Sequence, residues 1–120
     1  MLNIELDEST GIAIVRPEEA LSEKDFDVIS SVIDPYLDTH EKLAGLIIST
    51  ETFPGWESFN SLVKHFKFVK GHHKKLSHVA FVSDSEMANV AEKIAGHFVS
   101  AKIKHFPFEQ IDEAINWINS

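Results

Sequence analysis

Leu43-Ala44-Gly45-Leu46-Ile47-Ile48-Ser49 is the stretch on which the fold turns. It is a short, nearly continuous apolar run. Such a run suits a central strand covered on both faces. Val79-Ala80-Phe81-Val82 is a second run of the same kind. Between the two, Phe59, Leu62, Val63, Phe66 and Val69 recur at the spacing of an amphipathic helix. A strand, a helix and a strand in succession imply parallel pairing and a right-handed crossover.

Toward the N-terminus the pattern changes. Leu2-Asn3-Ile4-Glu5-Leu6-Asp7 alternates apolar and polar residues, the period of a half-buried strand. Glu8-Ser9-Thr10-Gly11 is a turn, with Gly11 available for a left-handed conformation. Ile12-Ala13-Ile14-Val15 resumes as a strand, so the two should pair as an antiparallel hairpin. Ser22 and Asp25 have the spacing of a capping box, and Phe26, Ile29, Ile33 and Leu37 follow at helical spacing. Pro35 removes an N–H inside that stretch, so a kink or break is expected near residues 31–34.

Toward the C-terminus, Ser83 and Glu86 offer another capping box. Met87, Val90, Ala91, Ile94 and Phe98 make the next helical stripe. Lys102-Ile103-Lys104-His105-Phe106 reads as an edge strand with its lysines outward, ended by Pro107. Ile111, Ala114, Ile115 and Ile118 define a last helix. The expected order is β-β-α-β-α-β-α-β-α, an α/β fold with a mostly parallel sheet and an N-terminal antiparallel hairpin. With 120 residues and no linker or repeat, it is expected to be one domain over 1–120.

Composition narrows the function classes. The chain has no cysteine, which excludes disulfides and thiolate metal sites. Its first ten residues are acidic where a signal peptide would be basic and then apolar, and no apolar run approaches the ~20 residues that span a bilayer. A cytoplasmic location is the expectation. The net charge of −8 argues against general nucleic-acid binding, which depends on neutralising phosphates. The charge is uneven: residues 1–63 hold 3 basic and 13 acidic side chains, and residues 64–120 hold 8 basic and 6 acidic. Such asymmetry orients partners.

Three segments together resemble the SpoIIAA-like, STAS-related domains, in the uncharacterised branch of that superfamily. They are LAGLIISTETFPGWESF (43–59), KKLSHVAFVSDSE (74–86) and AKIKHFPFEQIDEAINWI (101–118). The resemblance covers essentially the whole chain. It implies a βα superhelix with helices mainly on one face of the sheet. It also implies a non-catalytic domain that binds proteins, nucleotides or lipids. The sporulation antagonists of this superfamily carry a phosphorylatable serine at the start of the helix after the central strand. Here that stretch reads Pro54-Gly55-Trp56-Glu57-Ser58, with Trp56 or Glu57 at the serine's place. The phosphorylation switch and its kinase partner are therefore not carried over.

Two segments are candidate sites. The loop of residues 50–57 follows the carboxyl end of the central strand, where open α/β sheets gather ligands. Phe53, Gly55, Trp56 and Phe59 would form its ligand-binding surface; alternatively, Trp56 begins the apolar stripe and belongs to the core. From Lys64 to Lys75 the chain reads Lys-His-Phe-Lys-Phe-Val-Lys-Gly-His-His-Lys-Lys. Lys64, Lys67, Lys70, Lys74 and Lys75 would bind an anion, or else form a solvated helix face. Phe68 among the lysines would suit peripheral contact with a membrane surface. His65, His72, His73 and His78 lack the i, i+4 spacing that aims two nitrogens at one ion, so no metal is expected. No nucleophile elbow, phosphate-binding glycine loop or dinucleotide fingerprint is present. The expectation is a non-enzymatic binding or regulatory module without a cofactor, whose site would combine the 50–57 loop with the basic second helix. Its ligand would be an anionic amphiphile, either lipid-like or a nucleotide, or a partner protein. The alternative is a homodimeric interaction protein with the 50–57 loop as interface.

Overall fold

The computed structural model describes residues 2–51, 75–84 and 102–120. Within them lie five strands and two helices. The strands are β1 (Leu2–Asp7), β2 (Ile12–Pro17), β3 (Leu43–Ser49), β4 (Leu76–Val82) and β5 (Lys102–Phe106). The helices are α1 (Glu23–Thr39) and α2 (Ile111–Asn119). The helices expected over 59–69 and 87–98 lie outside the described residues.

The strands form one sheet in sequence order, β1-β2-β3-β4-β5. Only β1 and β2 are antiparallel; every other neighbouring pair is parallel. The apolar run 43–49 is therefore the middle strand, as expected for a segment with no polar face. The hairpin turns on Gly11, whose φ of +72° is left-handed. Asp7 caps the same turn: its Oδ1 accepts from the Ser9 N–H at 3.0 Å and the Ser9 hydroxyl at 2.6 Å.

Strand alternation divides the core between the two faces of the sheet. Ala13, Val15 and Leu46 pack with Phe26, Ile29, Ile33 and Tyr36 of α1. Ile12, Ile47, Ala80, Val82 and Phe106 pack with Ala114 and Ile118 of α2. The two described helices thus lie on opposite faces, one on each. Whether most helices share one face depends on segments outside the described residues.

The capping box at Ser22 forms in both directions, with Asp25 Oδ2 accepting from the Ser22 N–H at 2.9 Å. Pro35 does not break α1, which runs unbroken to Thr39. Proline frees the carbonyl four residues back, that of Ser31. Ser31 and Pro35 are both exposed, so the freed carbonyl belongs to the helix's outer, solvent-facing side.

Candidate functional site at the carboxyl end of the sheet

β3, β4 and β5 are parallel and end together, and hydrogen bonds bind their ends into a ledge. The Thr50 N–H donates to the Val82 carbonyl at 3.0 Å, and the Ser83 N–H to the Phe106 carbonyl at 2.9 Å. The Glu51 carbonyl accepts twice, from the Asp84 N–H at 3.0 Å and the Ser83 hydroxyl at 3.3 Å. Asp84 Oδ1 accepts from the Phe108 N–H at 3.1 Å. Ser83 is buried at the centre of this lattice. The chain of the 50–57 loop therefore leaves β3 from a fixed point at Glu51.

His105 also joins the ledge. Its Nε2 lies 2.6 Å from the Ser83 carbonyl. A carbonyl only accepts, so Nε2 carries the proton. Ser83, His105 and Asp84 are thus neighbours, yet these contacts do not make a nucleophile relay. The imidazole addresses the serine's carbonyl, and the aspartate accepts from a backbone amide. A relay requires serine hydroxyl to imidazole and imidazole to carboxylate. Exposed carboxylates described at this end are Glu18 and Glu19 after β2, then Glu51 and Asp84, while Arg16, near the end of β2, is paired with Glu5.

Of the residues singled out for ligand or anion binding, the described set contains Lys75 alone. Phe53, Gly55, Trp56, Phe59, Lys64, Lys67, Lys70 and Lys74 lie outside it, as does the loop beyond Glu51. Lys75 is exposed and stands just before β4. The register pairs Leu43 with Leu76 and Ser49 with Val82. Lys75 and Thr50 are therefore at opposite ends of the sheet, about 26 Å apart along the strand direction. Lys75 does not stand beside Thr50 and Glu51, where the 50–57 segment departs.

His78 is the one described member of the histidine group. Its Nδ1 lies 3.2 Å from the Ala44 carbonyl, and its ring meets Trp117 edge-on at 4.8 Å. Trp117 also tilts against Phe106 at 5.8 Å, and Lys104 Nζ stands 5.2 Å from the Phe106 ring centre. His78 therefore packs α2 onto the sheet. Among the described residues no group of three or more His, Asp or Glu could hold a metal ion. No described helix is long and apolar enough to cross a membrane. Sequence reading missed Ser83 and His105 as organisers of the ledge. Ser83 stands out in the sequence as a capping residue with Glu86 directly after an apolar strand, not as a ledge residue.

Comparison with known proteins agrees with this architecture. An uncharacterised protein of the DUF3478 family from Shewanella loihica PV-4, described as having a SpoIIAA-like fold, superposes with a TM-score of 0.78. The two are 18% identical, with 98% of this chain and 92% of that one covered. That likeness is one of fold. No curated protein matches the chain. A family model described as SpoIIAA-like matches residues 12–119. The chain belongs to the SpoIIAA-like family.

Proposed function

We propose that this chain is a non-enzymatic binding or regulatory module whose contact surface is the 50–57 loop. The observation that carries the reading is the ledge. The loop departs from Glu51, whose carbonyl is held by both Ser83 and Asp84. A surface presented from a fixed base binds with less ordering cost than a free one. Phe53, Gly55, Trp56 and Phe59 are the residues we assign to that surface, with the two aromatics Phe53 and Trp56 as its anchors.

A partner protein fits this end of the sheet better than an anionic amphiphile. Glu18, Glu19, Glu51 and Asp84 are exposed carboxylates at this end, where Arg16 is already paired with Glu5, and they disfavour anions. We assign the anion-binding role to Lys64, Lys67, Lys70, Lys74 and Lys75, of which Lys75 is described and stands before β4, at the opposite end of the sheet from Thr50. Flotation with vesicles of anionic phospholipid tests that second role. Wild-type flotation that disappears when Lys64, Lys67 and Lys70 are replaced by Ser supports it. Flotation unchanged by those replacements contradicts it. Trp56→Ala should abolish partner binding while the chain stays folded.

A further inference from the structure

The two edges of the sheet carry opposite charge in matching positions. β1 is one edge and β5 the other, and no described strand lies beyond either. Asn3, Glu5 and Asp7 of β1 are exposed, while Leu2, Ile4 and Leu6 pack toward α1. Lys102 and Lys104 of β5 are exposed on the face that bears Phe106, which packs toward α2. The carboxylates and the lysines thus lie on the same face of the sheet, at opposite edges. Neither strand contains proline, and their lengths are six and five residues.

We infer that β1 of a second copy of this chain pairs antiparallel with β5, extending the sheet head to tail. The register follows from the backbone. The Phe106 carbonyl accepts from Ser83, so Phe106 turns its peptide groups inward to β4, and Ile103 and His105 turn theirs out. The Asp7 carbonyl accepts from Gly11 within the hairpin, so Asp7 turns inward, and Ile4 and Leu6 turn outward. Pairing Ile103 with Leu6 and His105 with Ile4 matches outward groups with outward groups. The same register sets Lys104 opposite Glu5 and Lys102 opposite Asp7. These are non-hydrogen-bonded pairs, whose Cα atoms are about 4.5 Å apart and whose side chains lie closest.

Charge on an edge strand ordinarily blocks pairing with other edges. Edges of like sign would block every combination. Here β1 against β1 and β5 against β5 are repulsive, and only the unlike pair is attractive. Glu5 already meets Arg16 through Oε1 at 3.3 Å, an exposed contact, and a carboxylate accepts at two oxygens. Asp7 is partly engaged by Ser9, so Lys104 with Glu5 is the main pair. The interface is heterologous, so it builds rings or filaments rather than a closed two-fold dimer. The net charge of −8 opposes the approach of copies, so association is weak and is read at high protein concentration.

Sedimentation over a concentration series tests this with wild type, Glu5→Lys, Lys104→Glu and the charge-swapped double variant, each verified as folded by circular dichroism. The weight-average mass of wild type should rise with concentration without stopping at two copies. Each single reversal should weaken association roughly fivefold or more, and the swap should restore it. Should a reversal unfold the chain, Glu5→Gln and Lys104→Gln replace it with the same expected loss. A wild type that stays monomeric throughout overturns the inference. So does a dimer that the single variants leave unchanged, or a folded swap that fails to recover.

Discussion

Gly45 of β3 lies directly beneath Ile118 of α2. A Cβ at position 45 would come 2.5 Å from Ile118 Cδ1 and 2.7 Å from its Cγ2. The missing side chain is what lets α2 seat on the middle strand. Gly45→Ala should therefore destabilise the fold by about 1–3 kcal/mol through overpacking. Chemical denaturation checks the value. Ile118→Val in the same chain should recover part of it, since residues in contact are not additive.

Gly11 tests backbone strain rather than packing alone. Gly11→Ala should cost about 1–2 kcal/mol from its left-handed backbone. A further cost comes from the Tyr36 hydroxyl, 2.8 Å from the new Cβ. Tyr36→Phe should remove the second cost and leave the first, a difference that thermal unfolding of the double variant resolves.

Pro35 should be replaceable at a gain. Pro35→Ala returns a donor to the Ser31 carbonyl within a helix that is already continuous. We expect about 1–3 kcal/mol of added stability by denaturant titration, reduced by the freedom the unfolded chain regains.

Asp7 is exposed, and hydrogen bonds from the Ser9 side chain and backbone hold its carboxyl below the ordinary value. A depressed folded pKa stabilises the hairpin above the unfolded carboxylate pKa, and the effect is lost as pH falls through the folded one. An NMR titration should show the Asp7 carboxyl rising toward the ordinary value in Ser9→Ala. An unchanged titration would assign the shift elsewhere.

Much of this fold was legible because its periods are clean. The alternation of 2–7, the glycine of the hairpin and the capping box at Ser22 and Asp25 are local signals, and all three form as read. The apolar run 43–49 and the lysine-flanked strand 102–106 keep their expected bounds. β4 starts earlier than its apolar run because Leu76-Ser77-His78 continues the pairing against β3 and is half polar. The passage of α1 through Pro35 was illegible, because it depends on which side of the helix faces water. The ledge was hidden for a similar reason: Ser83 and His105 lie 22 residues apart and meet through a carbonyl, which carries no sequence signature. The separation of Lys75 from Thr50 follows from parallel strand direction rather than from any residue type.

Native mass spectrometry of the chain, purified gently from the cells that make it, tests the central claim of a binding module most directly. Wild type should retain a partner chain or ligand mass, and Trp56→Ala should lose it while staying folded. A bare chain in both proteins, or a retained mass indifferent to Trp56, would contradict that claim.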